Sequence, residues 1–374
     1  MRRTAALIAG GGPAGAAAAI ALARQGTRPL LIEREHTVRD TVCGGFLGWD
    51  ALAQLDALGI DVAALGARPI DSVRIITGNR TAEAALPDRA AGLSRRTLDS
   101  ALLQAAEAAG AGIERGVRLR SADPIRREIL LSDTATIGCD ALFLATGKHE
   151  LRGVARAHGR EVGTLAIGLR ARLGASPALT AALAGVIELH LFDGGYAGLL
   201  LQEDGSTNLC LSVSPERLAG LRPEALAAAL AQEAPALGAR LDAAASVGRW
   251  SAIAGIPYGW RATSSQSGIF RIGDQSAVIA SLAGDGIAMA LASGREAAAC
   301  LLRSGPEGAV RFQRDRRRHV ALPIAVAGLL RSVAEQHPHL RSGFVALFRE
   351  APALVGFGAR LTRGGHAPNR GARH

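Results

Sequence analysis

Three glycines near the start of the chain have the spacing of a phosphate-binding turn. Gly10, Gly12 and Gly15 form the pattern G-x-G-x-x-G, and the acidic residue Glu33 follows them. In dinucleotide-binding proteins the first glycine permits a sharp turn, the second lets the backbone approach a pyrophosphate, and the third lets a helix pack on a strand. The anion then lies at a helix N-terminus, where free N–H groups and the helix dipole favour negative charge. The pattern therefore predicts a dinucleotide site in which Glu33 accepts hydrogen bonds from the adenosine ribose.

The residues around these glycines predict a strand, a turn, a helix and a second strand. Residues 5–9 predict the first strand, the helix runs from Pro13 to about residue 25, and residues 29–32 predict the second strand. A charged start followed by an apolar run is also typical of a secretory signal. However, residues 10–12 are consecutive glycines, and each would weaken a membrane helix by roughly 1 kcal/mol. We therefore interpret this stretch as the first unit of an α/β domain.

A second combination of glycines and acids lies late in the chain. Gly273 and Asp274 follow an apolar stretch, and Gly284 and Gly286 flank another acid at the start of a predicted helix. Free N–H groups at such a helix start stabilise negative charge on a bound group. A nicotinamide dinucleotide needs only the early unit, whereas a flavin dinucleotide held between the early and the late unit uses both. The two patterns together therefore favour FAD as the cofactor.

Together with the motif R-x-x-L-D at Arg95, these stretches resemble the superfamily of FAD-dependent monooxygenases and geranylgeranyl reductases, which share the p-hydroxybenzoate hydroxylase fold. The resemblance covers roughly residues 4–305. It implies an α/β fold in which a Rossmann-type FAD-binding domain is interleaved with an antiparallel β-sheet substrate domain, plus C-terminal helices. It also implies that the loop of Cys43 and Gly44 lies near the flavin ring and that Val117 pairs with adenine. The implied cofactor contacts are made by Gly10, Gly12, Pro13, Ala14, Gly15, Glu33, Arg34, Cys43, Gly44, Arg95, Val117, Gly147, Gly273, Asp274, Gly284, Gly286 and Ile287.

The sequence departs from the motifs of this superfamily at several positions. Ser281 stands at the proline of the second FAD signature, and Thr146 stands where the hydroxylases carry an aspartate used around FAD and NADPH. The resemblance therefore implies NAD(P)H as a transient electron donor without indicating where it binds. Tyr196 matches the Tyr-x-Trp-x-Phe-Pro strand of the prenyl reductases, but the other motif residues are missing. The chain also lacks a second nucleotide motif and a redox cysteine pair, which argues against a reductase of the glutathione reductase kind.

Arginine dominates the positive charge of the chain. The 374 residues include 43 Lys and Arg against 33 Asp and Glu, and Lys148 is the only lysine. The arginines are scattered and aromatic residues make up 3% of the chain, so we predict no nucleic-acid partner despite the net charge of +10. Four cysteines without C-x-x-C spacing and nine histidines without metal-binding spacing predict neither a disulfide framework nor a metal site. These features suit a reducing cytoplasm, where we expect the protein to be located.

Changes in residue pattern along the chain predict three regions. Residues 1–70, 94–160 and 264–305 are predicted to form the FAD-binding domain, residues 71–93 and 161–263 the β-sheet substrate domain, and residues 306–374 a helical segment. The C-terminal helices are apolar on one face, which fits core packing or a homodimer interface. It also fits a peripheral membrane contact that brings an apolar substrate to the site. The oligomeric state stays open between monomer and homodimer.

Three functions are compatible with these residues. The first is an NAD(P)H-dependent flavoprotein monooxygenase that hydroxylates an apolar phenolic or polyketide-type aromatic, with Tyr196 or Tyr258 orienting a phenol in a dry cavity. The second is a geranylgeranyl-reductase-like flavoprotein that saturates alkenes of a lipid or isoprenoid, and the third is a non-catalytic flavin-binding protein. Cys43 is the remaining catalytic candidate, with a plain buried thiol as the alternative. Because the reductase strand motif is incomplete, hydroxylation is favoured over alkene saturation.

Overall fold

The computed structural model describes residues 2–156 and 165–364. The strands, in chain order, are β1 (Arg2–Ala9), β2 (Leu30–Glu33), β3 (Phe46–Leu47), β4 (Arg68–Thr77), β5 (Arg80–Gly92), β6 (Gly112–Arg115), β7 (Leu119–Asp123), β8 (Glu128–Leu131), β9 (Thr136–Leu144), β10 (Ala166–Leu173), β11 (Gly185–Phe192), β12 (Gly195–Leu201), β13 (Thr207–Val213), β14 (Ser251–Ile256) and β15 (Ile269–Arg271). The helices are α1 (Pro13–Ala23), α2 (Trp49–Ala57), α3 (Arg95–Ala108), α4 (Pro177–Leu183), α5 (Pro215–Leu218), α6 (Pro223–Glu233), α7 (Pro235–Asp242), α8 (Gly286–Ser304), α9 (Gly308–His319), α10 (Ala321–Gln336), α11 (Pro338–Glu350) and α12 (Pro352–Leu361).

The first sheet is built around parallel strands in the order β6-β2-β1-β9-β15. The hairpin of β7 and β8 extends this sheet in antiparallel fashion from the beginning of β9. The end of β1 and most of β9 consist of apolar residues, as expected for parallel strands that are buried on both faces. Because the carboxyl ends of the parallel strands meet at one edge, the segments that contain Gly10, Glu33, Gly147 and Gly273 lie at the same edge.

Small residues let α1 and α8 lie directly against each other beside the first sheet. A Cβ atom on Gly294 of α8 would lie 2.2 Å from the carbonyl oxygen of Ala14 in α1, and a Cβ atom on Gly15 would lie 2.0 Å from the carbonyl oxygen of Gly10. Neither position has room for a methyl group. The alanine-rich sequence of α1, which is buried on nearly all sides, therefore serves close backbone packing.

The second sheet has the strand order β14-β10-β13-β12-β11-β4-β5-β3. Its pairs are antiparallel, as predicted, except that β11 runs parallel to β4. β11 can run parallel to β4 because the chain leaves this sheet after β5, builds part of the first sheet and returns by a long crossover rather than a hairpin. On one face, β10, β12 and β13 pack against α4, α6 and α7 through leucines such as Leu179, Leu226 and Leu230.

The C-terminal helices cover the other part of the second sheet. α10 and α11 pack on β4, β5, β11 and β12 through an apolar cluster that includes Tyr196, Ala334 and Phe348. Within residues 2–156 and 165–364, no helix combines the length and the apolar character that crossing a bilayer requires. The predicted division into domains stays a prediction. Its boundary at residues 160 and 161, and the part of the C-terminal segment beyond residue 364, lie outside the described residues.

Candidate cofactor and substrate site

A cavity of about 240 Å³ lies between the carboxyl edge of the first sheet and the second sheet. Most of the predicted site residues line it, namely Gly12, Pro13, Ala14, Cys43, Gly44, Arg95, Gly147, Tyr196, Tyr258, Gly273, Asp274, Gly284, Gly286 and Ile287. The predicted residues outside this lining are Gly10, Gly15, Glu33, Arg34 and Val117. The fold therefore brings residues from distant parts of the chain to one space, while the residues predicted for the adenosine end lie away from it.

The glycine turn after β1 leaves open space at the start of α1. Gly10 has a φ of +114°, and a Cβ atom there would lie 2.5 Å from the carbonyl oxygen of Ala145, so this position requires glycine. Gly12 is the N-cap of α1 and makes no side-chain cap hydrogen bond. The one atom near a Cβ on Gly12 is a guanidinium nitrogen of Arg95, at 3.6 Å. Helix N–H groups and an arginine thus face the same open space, an arrangement that suits a pyrophosphate.

Glu33 closes the turn from the side of β2. Its carboxylate accepts hydrogen bonds from the backbone N–H of Gly11 at 2.7 Å and of Glu35 at 3.0 Å. The N–H of Val117 donates to the carbonyl oxygen of Glu33 at 3.2 Å, so Val117 lies next to it. Arg34 is exposed, and its guanidinium lies 3.0 Å from the Nε2 atom of His149. Because each carboxylate oxygen accepts more than one hydrogen bond, Glu33 retains capacity for ribose hydroxyls.

We expect Glu33→Arg to raise the Kd for FAD about tenfold, because the variant loses the ribose acceptor and the hydrogen bond to Gly11. The matched control is Glu35→Arg, since Glu35 is the adjacent acid and its carboxylate binds the exposed Arg34 instead of the turn. Fluorescence titration of the flavin-free protein measures both, with FMN as a second ligand. Equal affinity of the wild type for FMN and FAD would show that the protein does not bind the adenosine part of FAD.

Arg95 is held in place at the start of α3. Its guanidinium makes two hydrogen bonds to the carboxylate of Asp99 one turn later, at 2.9 and 2.7 Å. Ser94 caps the helix by accepting from the N–H of Thr97. Burial by itself would lower the pKa of Arg95, but Asp99 and Cys43 together raise it above its usual range. Arg95 is therefore a fixed cation beside Gly12.

The start of α8 is a second helix N-terminus that opens on the cavity. Gly284 is left-handed, with a φ of +68°, and a Cβ atom on Gly286 would have no heavy atom within 4 Å. The N-cap residue Asp285 makes no cap hydrogen bond, because its buried carboxylate instead accepts from the N–H of Gly364 at 2.7 Å and pairs with Arg363 at 3.2 Å. Burial raises the pKa of Asp285 to about 6, although Arg363 opposes the shift. The first N–H groups of α8 are thus left for a ligand.

The two tyrosines of the chain meet at one serine. The Tyr196 hydroxyl donates to Oγ of Ser281 at 2.6 Å, and the Tyr258 hydroxyl lies 2.6 Å from the same atom. Burial raises the pKa of both phenols, so both stay protonated at neutral pH. The guanidinium of Arg331 lies 4.7 Å from the ring centroid of Tyr258. In the sequence Ser281 stands out only as a departure from a motif, and no signal there indicates that the serine joins the two tyrosines.

The loop of Cys43 is tied to the second sheet. The side-chain amide of Asn208 in β13 donates to the carbonyl oxygens of Cys43 and Gly44, at 3.0 and 2.7 Å. Cys210, two residues further along β13, also lines the cavity, and burial raises the pKa of its thiol to about 12. Cys210 and Lys148 line the cavity and Asn208 holds the loop of Cys43, but the motifs single out none of them, because none belongs to a glycine or acid pattern.

These features fit FAD. Two helix N-termini without side-chain caps, at Gly12 and Gly286, open on one cavity, and Arg95 lies beside the first. Asp274 lines the same cavity, and its carboxylate is a type of group that accepts hydrogen bonds from a polyhydroxyl chain. Within the described residues, no group of three or more His, Cys, Asp or Glu side chains could hold a metal ion.

Comparisons with known proteins agree with an FAD-binding fold. Residues 3–129 match the family model described as an FAD binding domain. A 59-residue stretch is 44% identical to 3-hydroxybenzoate 6-hydroxylase of Klebsiella oxytoca, and the match spans only 16% of this chain and 15% of that relative. The flavin-dependent brominase Bmp2 shares the fold with a TM-score of 0.80, 18% identity and coverage of 97% of this chain and 94% of that chain. PqsL of Pseudomonas aeruginosa, a probable FAD-dependent monooxygenase, gives a TM-score of 0.71, 17% identity and coverage of 92% and 100%.

The comparisons confirm the predicted α/β fold class and the predicted resemblance to the p-hydroxybenzoate hydroxylase-like flavoproteins. The match to the FAD-binding domain model supports the predicted FAD cofactor. The proteins named above are a hydroxylase, a brominase and a probable FAD-dependent monooxygenase.

Proposed function

Because the chain carries an FAD-binding domain within the fold of FAD-dependent monooxygenases and halogenases, we propose that it hydroxylates an apolar phenolic or polyketide-type aromatic, with NAD(P)H as transient electron donor. The observation that carries the proposal is the single cavity that joins the two predicted FAD signatures to the paired tyrosines. The partial match to a hydroxybenzoate hydroxylase supports an aromatic substrate.

The residues of the chain would bind, orient and shield the reactants. Bound FAD would supply two-electron redox chemistry and the activation of O2. Apolar side chains on the cavity wall, such as Leu200, Val278 and Ile279, would accommodate an aromatic ring and exclude water. The hydroxyls of Tyr196 and Tyr258 are held by Ser281 at one place on this wall, where they would orient a polar substituent of the ring. Cys43 would lie in the loop beside the flavin ring, and it is one of the residues that line the same space.

Turnover in labelled O2 tests the proposal. We expect the FAD-loaded protein, with NADH or NADPH and a panel of phenols that includes 3-hydroxybenzoate and naphthols, to give a product that gains one labelled oxygen atom. The assay is repeated with bromide, because Bmp2 is named a brominase, and with prenyl lipids. A product that gains bromine, or one that gains two hydrogen atoms and no oxygen, would contradict hydroxylation and assign halogenation or alkene saturation instead. Flavin binding without turnover of any panel member would favour a non-catalytic role.

The C-terminal helices offer a surface for a further contact. Leu322 and Leu329 on α10 and Leu340 and Leu347 on α11 are between 50% and 66% exposed. Each pair is spaced by two helical turns, so its members lie on one face of their helix. This exposure supports the proposed peripheral membrane contact or homodimer interface. The cytoplasmic location likewise stays a proposal.

A further inference from the structure

The chain returns to the start of α8 after α12. The guanidinium of Arg363 lies 3.2 Å from Oδ1 of Asp285, and the N–H of Gly364 donates to Oδ2 of the same carboxylate at 2.7 Å. Asp285 is fully buried, and the side chain of Arg363 is 7% exposed. We call Arg363 and Gly364 the C-terminal clamp. Both residues lie beyond residues 4–305, the region whose resemblance predicted the cofactor site.

The C-terminal clamp is held in place by packed side chains. The guanidinium carbon of Arg363 lies 4.0 Å from the ring centroid of Trp49, in α2, an arrangement in which the cation is attracted to the ring. The buried guanidinium of Arg316 donates to the carbonyl oxygen of Gly364 at 3.3 Å and to that of Met289, near the start of α8, at 2.9 Å. The clamp therefore has a fixed position relative to the start of α8.

Asp285 does not act as a helix cap, although it is the N-cap residue of α8. Aspartate is among the residues most favoured at this position, where the backbone is usually extended and the side chain accepts from an N–H of the first turn. Asp285 has neither feature, since its φ is −106° and its ψ is 0°, and its side chain makes no cap hydrogen bond. The C-terminal clamp accounts for the difference, because it holds the carboxylate in a buried position. The N–H groups of the first turn, which begins with Gly286 and Ile287 on the cavity wall, are thus left for a ligand.

A carboxylate in the first turn of α8 would compete with a bound flavin. Burial raises the pKa of Asp285 to about 6, Asp50 adds to the rise, and Arg363 and the N–H of Gly364 oppose it. The carboxylate is therefore ionised at neutral pH. If it moved to the first turn, it would accept hydrogen bonds from the N–H groups that the cofactor is proposed to use. Its charge would also offset the positive end of the helix dipole, which favours a reduced, electron-rich flavin.

We propose that Arg363 is a positioning residue for the cofactor, because it holds the Asp285 carboxylate away from the first turn of α8 and so keeps the N–H groups of that turn available to the flavin. The inference rests on the FAD site and not on the proposed hydroxylation, so it holds whichever substrate is oxidised. It also gives the C-terminal segment a role in the cofactor site, in addition to its packing on the second sheet.

Fluorescence titration of the flavin-free protein with FAD tests the inference. We expect Arg363→Met to raise the Kd for FAD about tenfold, because the released carboxylate of Asp285 occupies the N–H groups and adds negative charge beside the flavin. Arg363→Lys keeps a cation next to Asp285 and should raise the Kd less than Arg363→Met does. The matched control is Arg360→Met, which should leave the Kd unchanged, since Arg360 is an exposed arginine of the same segment.

Two further measurements separate the release of Asp285 from a simple loss of packing. The double variant Asp285→Ala/Arg363→Met lacks the same guanidinium but has no carboxylate to release, so its Kd for FAD should return to within a factor of about three of the wild-type value. The reduction potential of bound FAD should fall in Arg363→Met, because added negative charge disfavours the reduced flavin, and should return in the double variant. If Arg363→Met does not fold, the same comparison is made between Arg363→Lys and Asp285→Ala/Arg363→Lys.

Unchanged affinity for FAD in Arg363→Met would overturn the inference. A double variant that binds FAD as weakly as Arg363→Met would also overturn it, because the packing of Arg363 alone would then explain the loss. Absence of a hydroxylated product from the wild type would contradict the proposed function alone. Hydroxylation by the wild type together with unchanged FAD affinity in Arg363→Met would contradict this inference alone.

Discussion

Gly12→Val is expected to leave the fold intact and to raise the Kd for FAD about 100-fold. The backbone at Gly12 has a φ of −71° and a ψ of −179°, which valine adopts without strain. The one atom near its Cβ position is a nitrogen of Arg95 at 3.6 Å, so a Cβ atom fits at this position without a clash. The valine methyl groups would fill the space at the start of α1, where the pyrophosphate is predicted to bind. Loss of two charge-assisted hydrogen bonds, each at the lower end of their range, about 1.5 kcal/mol, gives the expected factor.

Circular dichroism of the flavin-free protein and fluorescence titration with FAD measure the two parts of this prediction. The contrasting variant is Gly15→Ala, whose Cβ would lie 2.0 Å from the carbonyl oxygen of Gly10. That variant should lose thermal stability as well as FAD, because the turn itself must move. If Gly12→Val bound FAD within a factor of about three of the wild type, the pyrophosphate would have to lie elsewhere.

Gly294→Ala is expected to lower the free energy of unfolding by about 2 kcal/mol. A Cβ atom at this position would lie 2.2 Å from the carbonyl oxygen of Ala14 and 3.0 Å from the backbone nitrogen of Ala18. These are backbone atoms of α1, which is buried against the first sheet and cannot move aside. The two helices must separate, and overpacking of this kind costs about 1–3 kcal/mol. Alanine gains up to about 1 kcal/mol of helix propensity over glycine, which offsets part of the cost.

The matched control is Gly328→Ala in α10, where a Cβ atom would have no heavy atom within 4 Å. This substitution changes helix propensity without overpacking, so stability should stay equal or rise by up to about 1 kcal/mol. Denaturant unfolding of the flavin-free protein measures both variants. Similar stabilities for Gly294→Ala and Gly328→Ala would show that α1 and α8 are less tightly packed than these distances require.

The local units of this protein follow from patterns of residues that are close in sequence. Gly10, Gly12 and Gly15 with the apolar runs around them predicted β1, the turn and α1, and the structure has these elements close to the predicted limits, with β1 beginning earlier, at Arg2. Changes in residue pattern likewise predicted a β-sheet region between residues 161 and 263, where β11, β12 and β13 lie. These elements can be predicted from the sequence because strand and helix periodicity, glycine turns and helix caps depend on residues that are close in sequence.

Contacts between these units depend on the packing of the whole chain. Ser281 joins Tyr196, which is 85 residues away, and Tyr258, which is 23 residues away. Asp285 lies in the middle of a recognised motif, yet its carboxylate turns to Gly364, 79 residues further along. Lys148 belongs to no motif, and its place beside Asp274 depends on a turn after β9 that meets the turn after β15. No local sequence pattern encodes these contacts, because they arise from the packing of two sheets whose strands come from distant parts of the chain.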